Sequence, residues 1–189
     1  MTEIFFIRHA QSDFTWKDEL TRPLTEQGLR DAKQLPQLFN QKRIDAIYCS
    51  PYKRSIQTLT PLANHIQQPI QIDEDLRERS IGKWVENFHA YSQQQWTDFT
   101  FKLEHGESLA EVQSRNIRAI HAMLERHPEQ TIVVGTHGTA LSTILNHYDP
   151  AFRYQKFLEI VDLMPYLMQL TFHQTTYLSR EEMVFPPPQ

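Results

Sequence analysis

The 189-residue chain is 40% hydrophobic and 22% charged, which predicts one domain with a sizeable buried core. Its net charge of −4 and pI near 6.1 argue against a general binder of nucleic acids or of membrane surfaces. A single cysteine, Cys49, excludes an internal disulfide framework, and no apolar run approaches the roughly 20 residues that span a bilayer.

The first predicted elements are a short strand and a broken helix. Residues 4–7 are apolar and rich in β-forming side chains, so they are predicted to be a buried strand, which leads into an Arg-His pair. A polar loop follows over residues 10–25, and Thr25 is the predicted N-cap of a helix that Pro36 kinks or breaks. The apolar side of this helix consists of Leu29, Ala32, Leu35 and Phe39.

Two further strands are predicted on either side of a second helix. Residues 44–49 form the second strand, and a helix follows over residues 55–67 with an interruption at Pro61. Residues 70–72 form a short third strand. Residues 75–107 have little periodicity and many aromatic side chains, so they are predicted to be a partly helical excursion that covers another part of the domain.

The second half of the chain continues the alternation of helices and strands. Ser108 is the predicted cap of a long helix, and residues 131–135 are the clearest buried strand of the sequence. Another helix is predicted over residues 139–147. Residues 152–161 are predicted to be a turn or strand region, and residues 166–172 are predicted to be a late strand, antiparallel at the sheet edge.

This alternation predicts an α/β fold. We expect a single three-layer domain over residues 1–189, with a mostly parallel central sheet, helices on both of its faces and an antiparallel edge strand. Residues 185–189, which are rich in proline, are predicted to be a tail outside the core.

Three predicted strands deliver polar or charged side chains to the same edge of this sheet. Arg8 and His9 follow the first strand, Arg54 follows the second, and His137 follows the strand at 131–135. Because ligands of open α/β sheets bind at the carboxyl ends of the strands, we expect these four side chains to converge there. Such a cationic cluster predicts a bound dianion, and arginine geometry suits phosphate. Glu78, just after the third strand, is placed to face the same crevice.

Six segments of the chain, in this order, resemble the motifs of the histidine phosphatase superfamily, which includes the phosphoglycerate mutases. The segments are Phe-Ile-Arg-His-Ala-Gln-Ser at 6–12, Pro-Leu-Thr-Glu-Gln-Gly at 23–28, Ser-Pro-Tyr-Lys-Arg-Ser-Ile-Gln-Thr at 50–58, Leu-Arg-Glu at 76–78 with Gly82 and Trp84, Gly-Glu-Ser at 106–108, and Gly-Thr-His-Gly at 135–138.

The resemblance implies a role for each member of the cluster. His9 is implied to be the nucleophile that becomes phosphorylated, and Arg8, Arg54 and His137 to bind the phosphoryl oxygens. Glu78 is implied to protonate the leaving oxygen and then to activate water. The family uses no metal and no cofactor, and the remaining histidines have no spacing typical of a zinc site.

Five further residues are expected at the phosphate from the same resemblance: Gln11, Ser12, Thr15, Arg22 and Gly138. Arg22 is equally compatible with a surface arginine. A solvated charged turn is the alternative for Glu78, and its catalytic role is favoured over it. The sequence departs from the family pattern in three places. Ala10 replaces a common glycine, Thr15 replaces an asparagine that touches the ligand, and residues 85–87 interrupt the usual Trp-Glu-Gly.

The function predicted from these residues is hydrolysis of a small phosphorylated metabolite through a phosphohistidine intermediate. The alternatives are a phosphoglycerate mutase, a protein phosphohistidine phosphatase and a non-enzymatic binder of phosphorylated ligands. Only 28 residues, 79–106, separate Glu78 from Glu107, whereas the mutases of this family carry a long insertion there, so a hydrolase is favoured.

Partners and location follow from the same observations. We expect a small phosphorylated substrate, and neither a nucleic acid nor a membrane as a partner. A homodimer is possible but cannot be inferred from the sequence. Because Met1 leads directly into the first predicted strand, we expect no signal peptide and a cytoplasmic location, which also fits the single cysteine.

Overall fold

A single mixed sheet organises the chain, which the computed structural model describes for residues 1–186. The last three residues of the predicted tail therefore lie outside the described residues. Within the described range the strands are β1 (Thr2–Arg8), β2 (Ala46–Cys49), β3 (Ile70–Ile72), β4 (Thr131–Thr136), β5 (Tyr166–His173) and β6 (Thr176–Met183). Their order across the sheet is β3–β2–β4–β1–β5–β6.

The four strands that position the polar cluster run parallel to one another. β1 pairs with β4 so that Arg8 lies opposite Thr136, and β2 pairs with β4 so that Cys49 lies opposite Gly135. β1, β2 and β4 therefore end level with one another. β5 is antiparallel to β1, and β6 is antiparallel to β5.

Helices cover both faces of the sheet, which confirms the predicted α/β class and its three layers. The helices are α1 (Glu26–Ala32), α2 (Leu35–Leu38), α3 (Lys53–Ile66), α4 (Phe88–Thr97), α5 (Leu109–Arg126), α6 (Gly138–Tyr148) and α7 (Tyr154–Ile160). Because successive side chains of a strand point to opposite faces, β1 contributes to two cores. Phe5 and Ile7 pack with α2 and α3, whereas Ile4 and Phe6 pack with α5, α6 and α7.

Several predicted boundaries need correction. Pro61 does not interrupt its helix, because α3 continues to Ile66 while Leu59 and Leu62, on either side of the proline, are fully buried. The region at 152–161 contains helix α7, with Phe157 and Ile160 buried. The predicted helix is broken, but at residues 33–34, since α1 ends at Ala32 and Pro36 lies in the first turn of α2.

The late strand and the tail also differ in detail from the prediction. β5 is antiparallel as predicted, but β6 pairs outside it, so the antiparallel edge consists of two strands. Phe185, at the start of the predicted tail, packs against the core on the side of α2 and α3. In the described part of the chain, no helix is long and apolar enough to cross a membrane.

Candidate active site

The level ends of β1, β4 and β2 bring His9, His137 and Arg54 together. His9 follows β1 directly, and its backbone N–H donates to the carbonyl of Thr136 at the end of β4 (3.2 Å). The imidazole centroids of His9 and His137 lie 5.3 Å apart. Arg54 belongs to the first turn of α3, which begins four residues after β2 ends. The convergence predicted from the sequence is therefore present in the structure.

His9 is buried and held in one tautomer. Its Nδ1 lies 2.7 Å from the carbonyl oxygen of Ala10, which can only accept, so Nδ1 carries the proton. Nε2 then presents its lone pair, and Nε of Arg54 donates to it at 3.2 Å. Burial, reinforced by the charges of Arg54 and Arg8, holds the pKa of His9 well below its ordinary value of 6.5. The imidazole is neutral at neutral pH and can act as a nucleophile.

His137 is completely buried beside His9. Its Nε2 lies 2.7 Å from the hydroxyl of Ser50, and the ring of Tyr52 packs against it with centroids 5.1 Å apart. Burial, together with the charge of Arg54, holds its pKa well below 6.5. Within residues 1–186, Nδ1 of His137 has no hydrogen-bond partner. A buried nitrogen without a partner is costly, and a ligand oxygen would satisfy it.

Arg8 is anchored by one end of its guanidinium and unpaired at the other. Its Nη1 donates to the carbonyls of Ile160, Val161 and Leu163, at 2.9, 2.7 and 3.0 Å. Its Nε is buried and has no partner in the described chain. Burial lowers the pKa of Arg8 to about 10, so the group remains charged at neutral pH.

Gly138 lies against the guanidinium of Arg8. A Cβ atom at Gly138 would stand 3.0 Å from Cζ and 3.1 Å from Nε of Arg8. Because these contacts are tighter than ordinary van der Waals distances, any larger residue would push the guanidinium aside. The structure thus places Gly138 beside Arg8, and the glycine leaves room for the arginine at the start of α6.

Glu78 lies at the N-terminus of α6. Its Oε1 accepts the backbone N–H groups of Arg79 (2.8 Å) and Ala140 (2.9 Å), and its Oε2 accepts that of Thr139 (3.0 Å). Glu78 is therefore no solvated turn residue, since the backbone N–H groups of Thr139 and Ala140 hold its carboxyl group at the positive end of α6.

The remaining predicted residues lie on the loop after β1, and most of their side chains form hydrogen bonds within that loop. The side-chain oxygen of Gln11 accepts the hydroxyl of Thr25 at 2.8 Å, and the hydroxyl of Thr15 donates to Asp13 at 2.6 Å. Ser12 is buried, and its hydroxyl lacks a partner among residues 1–186. Arg22 points towards the site, where its charge contributes to the lowered pKa of His9.

Two of the sequence departures have a clear structural account. The methyl group of Ala10 packs with Leu24 and Ala32 in a small buried cluster, and its backbone N–H donates to the hydroxyl of Thr58. In the segment after Trp84, the side chain of Asn87 accepts the N–H of Ala90 and begins α4. Asn87 in this segment therefore supplies the N-cap of α4.

Three groups that shape the site were not predicted from the sequence. Ser50 and Tyr52 contact His137, although both stand in the segment that was matched to the family. Glu19 contacts Arg54 through its carboxylate and its backbone carbonyl. Glu19 lies in a polar loop without a recognisable motif, so only the folded position of that loop reveals the contact.

The site therefore combines a neutral nucleophile, cationic side chains and unpaired donors. Residues 1–186 contain no group of three or more His, Cys, Asp or Glu side chains placed to hold a metal ion. The donors that do converge are arginine and imidazole nitrogens, which bind anions. Phosphoryl transfer needs mainly alignment and charge neutralisation, and these nitrogens can provide both.

Comparison with known proteins places this geometry in context. The family model of the histidine phosphatase superfamily (branch 1) matches residues 4–160. Phosphoserine phosphatase 1 of Hydrogenobacter thermophilus is 29% identical over 150 residues, which are 72% of this chain and 71% of that protein. The adenosylcobalamin/alpha-ribazole phosphatase of Escherichia coli is 26% identical over 155 residues, which are 75% of this chain and 76% of that protein.

A solved structure supports the same fold. Phosphoserine phosphatase from Entamoeba histolytica, in complex with 3-phosphoglyceric acid, superimposes with a TM-score of 0.78. The match covers 97% of this chain and 98% of that chain, at 18% sequence identity. At that identity, the likeness concerns the fold.

Proposed function

The chain belongs to the histidine phosphatase superfamily (branch 1), and from this premise we propose that it hydrolyses small phosphate monoesters through a phosphohistidine formed on His9. The observation that carries the proposal is the pair of buried, unpartnered nitrogens beside the neutral imidazole of His9. These are Nε of Arg8 and Nδ1 of His137, both without a hydrogen-bond partner in residues 1–186. A phosphoryl group at His9 would give both of them an acceptor.

In the first step, Nε2 of His9 attacks the phosphorus atom and the bond from phosphorus to the ester oxygen breaks. Arg54, whose Nε now donates to Nε2 of His9, transfers its hydrogen bond to a phosphoryl oxygen and frees the lone pair. Arg8 and His137 hold the other oxygens as charge develops in the transition state. Glu78 enters this step in its protonated form and gives its proton to the departing alkoxide, in the role implied by the family resemblance.

In the second step, water attacks the phosphohistidine and the phosphorus–nitrogen bond breaks. Glu78 accepts the proton of that water, which gives inorganic phosphate and restores neutral His9. The first step leaves Glu78 as a carboxylate that can take up this proton, and three backbone N–H groups hold it in place. The arrangement aligns charges and donors around the phosphoryl group throughout the cycle.

The named relatives support a hydrolase and leave the substrate open. They include phosphoserine phosphatases and an adenosylcobalamin/alpha-ribazole phosphatase, and also a phosphoglycerate mutase-like protein. We expect a small phosphorylated metabolite. The cytoplasmic location stays a prediction, as do the absence of a nucleic-acid partner and the oligomeric state.

A substrate panel tests the proposal. Purified protein is incubated with phosphoserine, 3-phosphoglycerate, alpha-ribazole phosphate, a phosphohistidine peptide and an aryl phosphate, and released phosphate is measured. We expect at least one small ester to be cleaved much faster than the phosphohistidine peptide. Preferred cleavage of the peptide would favour a protein phosphohistidine phosphatase, and no cleavage of any ester would contradict the proposal.

A further inference from the structure

The carboxylate of Glu19 bridges two arginines of the candidate site. Its Oε2 lies 2.9 Å from Nη2 of Arg54, and its Oε1 lies 3.0 Å from Nη2 of Arg22. The backbone carbonyl of Glu19 also accepts Nη1 of Arg54 at 2.7 Å. A carboxylate between two guanidinium groups supplies the negative charge and the paired acceptor oxygens that a phosphate would otherwise offer to them.

The side chain of Glu19 is much more exposed to solvent than the side chains of Arg54 and Arg22. The side chain of Arg54 is 3% exposed and that of Arg22 12%, whereas the side chain of Glu19 is 55% exposed. The arginines are therefore fixed in the site, and the carboxylate reaches them from the solvent side. Of the three groups, Glu19 is the one that can leave without exposing the core.

Formal charges show what a substrate must do on entering. Arg22 and Arg54 supply two positive charges, and the carboxylate of Glu19 between them supplies one negative charge. A phosphate dianion bound to the same two arginines leaves a net negative charge if Glu19 stays. If Glu19 leaves, the charges of these groups balance. Like charges held together in a buried site repel one another strongly, so the balanced arrangement is favoured.

The contact with Arg54 reaches the nucleophile. While Glu19 holds Nη1 and Nη2 of Arg54, Nε of the same guanidinium donates to the lone pair of His9 Nε2. The lone pair that must attack phosphorus is therefore engaged in the empty enzyme.

We propose that Glu19 is a resident counter-ion of the phosphate site, which the phosphate group of the substrate displaces from Arg54 and Arg22. In the empty enzyme Glu19 satisfies the two arginines and keeps the nucleophile of His9 engaged. On binding, the phosphate takes over the arginines and the carboxylate turns to solvent. Glu19 thus competes with every anion for the site, including the phosphate product. The inference rests on the proposed function, because it takes the ligand to be a phosphate.

Titration with inorganic phosphate tests the inference without any turnover. Isothermal titration calorimetry is run on the wild type, on Glu19→Gln and on Glu26→Gln. The control removes the same charge from an exposed glutamate that contacts only Arg30, at 3.9 Å, among the ion pairs of the described chain. We expect Glu19→Gln to bind phosphate roughly three- to tenfold more tightly, and Glu26→Gln to bind like the wild type.

A structural role of Glu19 predicts the opposite result. If the carboxylate serves to position Arg54, its removal leaves the arginine poorly placed and phosphate binds more weakly. Weaker or unchanged binding in Glu19→Gln would overturn the inference. Glu19→Ala is measured in parallel, and it must also bind phosphate more tightly, because it removes the competitor without leaving an amide oxygen for Arg54.

The counter-ion role of Glu19 and the proposed hydrolase activity can each fail without the other. If no phosphate ester is hydrolysed but Glu19→Gln tightens phosphate binding, the counter-ion is supported and the hydrolase is not. If esters are hydrolysed and phosphate affinity does not rise, the hydrolase stands and the counter-ion falls. Thermal unfolding of each variant shows whether it remains folded at the temperature of the titration.

Discussion

At the scale of single residues, His9 and His137 are buried as neutral imidazoles, whereas both become protonated in acid once the chain is unfolded. The pKa values of His9 and His137 are held well below 6.5 in the folded protein, mainly by burial. In the unfolded chain both groups take up a proton as the pH falls through about 6.5. Below that pH the unfolded state therefore binds more protons than the folded state does. The contribution of these two groups to the unfolding free energy is therefore complete above pH 6.5 and is lost as the pH falls below that value.

This reasoning predicts a pH-dependent difference between the wild type and His137→Asn. Each buried imidazole contributes up to about 1.4 kcal/mol per pH unit to the slope of the unfolding free energy below pH 6.5. Urea denaturation between pH 7.5 and 5.5 should show a smaller loss of stability per pH unit in His137→Asn. The slope is the quantity compared, since the variant also loses the contact with Ser50. Equal slopes would mean that the fold does not lower the pKa of His137.

A second prediction concerns Glu78. If it protonates the leaving oxygen, Glu78→Gln should slow esters with basic leaving groups far more than esters with acidic ones, because proton donation matters in proportion to that basicity. We expect kcat/KM, which reports the steps up to formation of the phosphohistidine, to fall on the order of 10²-fold or more for phosphoserine and much less for an activated aryl phosphate. An equal loss for both substrates would make Glu78 a positioning residue.

At the scale of elements, a buried arginine of α5 fixes the segment that carries Glu78. Nη1 of Arg115 donates to the carbonyls of Asp75 and Arg77, both at 2.7 Å, and its Nη2 donates to that of Glu78 at 3.1 Å. The same guanidinium pairs with the carboxylate of Glu107, at 2.9 and 3.0 Å. The Gly-Glu-Ser motif thus supports the acid segment through Arg115.

Removing this arginine should destabilise the protein. Arg115→Ala leaves three backbone carbonyls without their donor and breaks a largely buried ion pair, so we expect a loss of about 3 kcal/mol in unfolding free energy. Arg118→Ala, three residues further along α5, is the matched control. Its side chain is 66% exposed and pairs with Asp75, so its loss should stay within about 1 kcal/mol. Urea denaturation measures both, and similar losses would refute the special role of Arg115.

The elements that escaped prediction are those stabilised by distant packing. β6 contains Ser179, Arg180 and Glu181 in succession, and only its pairing with β5 makes it a strand. α7 has only seven residues, and its apolar residues Phe157 and Ile160 belong to the same hydrophobic core as residues of α5 and α6. Strand propensity and helical periodicity are local signals, and neither element has a strong one.

At the scale of the whole molecule, the convergence of the site was predictable and its inner contacts were not. His9, Arg54 and His137 follow strands with clear apolar patterns, and parallel strands end at a shared edge. The anchoring of Arg8 depends on carbonyls more than 150 positions away in the chain. The contact of Glu19 depends on how a polar loop folds back on α3. Such contacts leave no periodic trace in the sequence.

The short segment between Glu78 and Glu107 leads to a prediction about the whole reaction. A mutase must retain a bisphosphorylated intermediate and exclude water while it turns. Here residues 79–106 contain one ten-residue helix, α4. With 3-phosphoglycerate and a trace of 2,3-bisphosphoglycerate, we expect release of phosphate to exceed formation of 2-phosphoglycerate. If 2-phosphoglycerate forms much faster than phosphate is released, the protein is a mutase and the proposed hydrolase function is wrong.

The most direct test of the account is to trap the covalent intermediate. The protein is mixed with a ³²P-labelled aryl phosphate and quenched in base within milliseconds, since phosphohistidine survives base and is lost in acid. Mass spectrometry of the labelled peptide should locate the phosphate on His9. His9→Ala should lose both the label and turnover, whereas His121→Ala, at an exposed position of α5, should keep both. Turnover of His9→Ala within a few-fold of the wild type, or a label on another residue, would contradict the account.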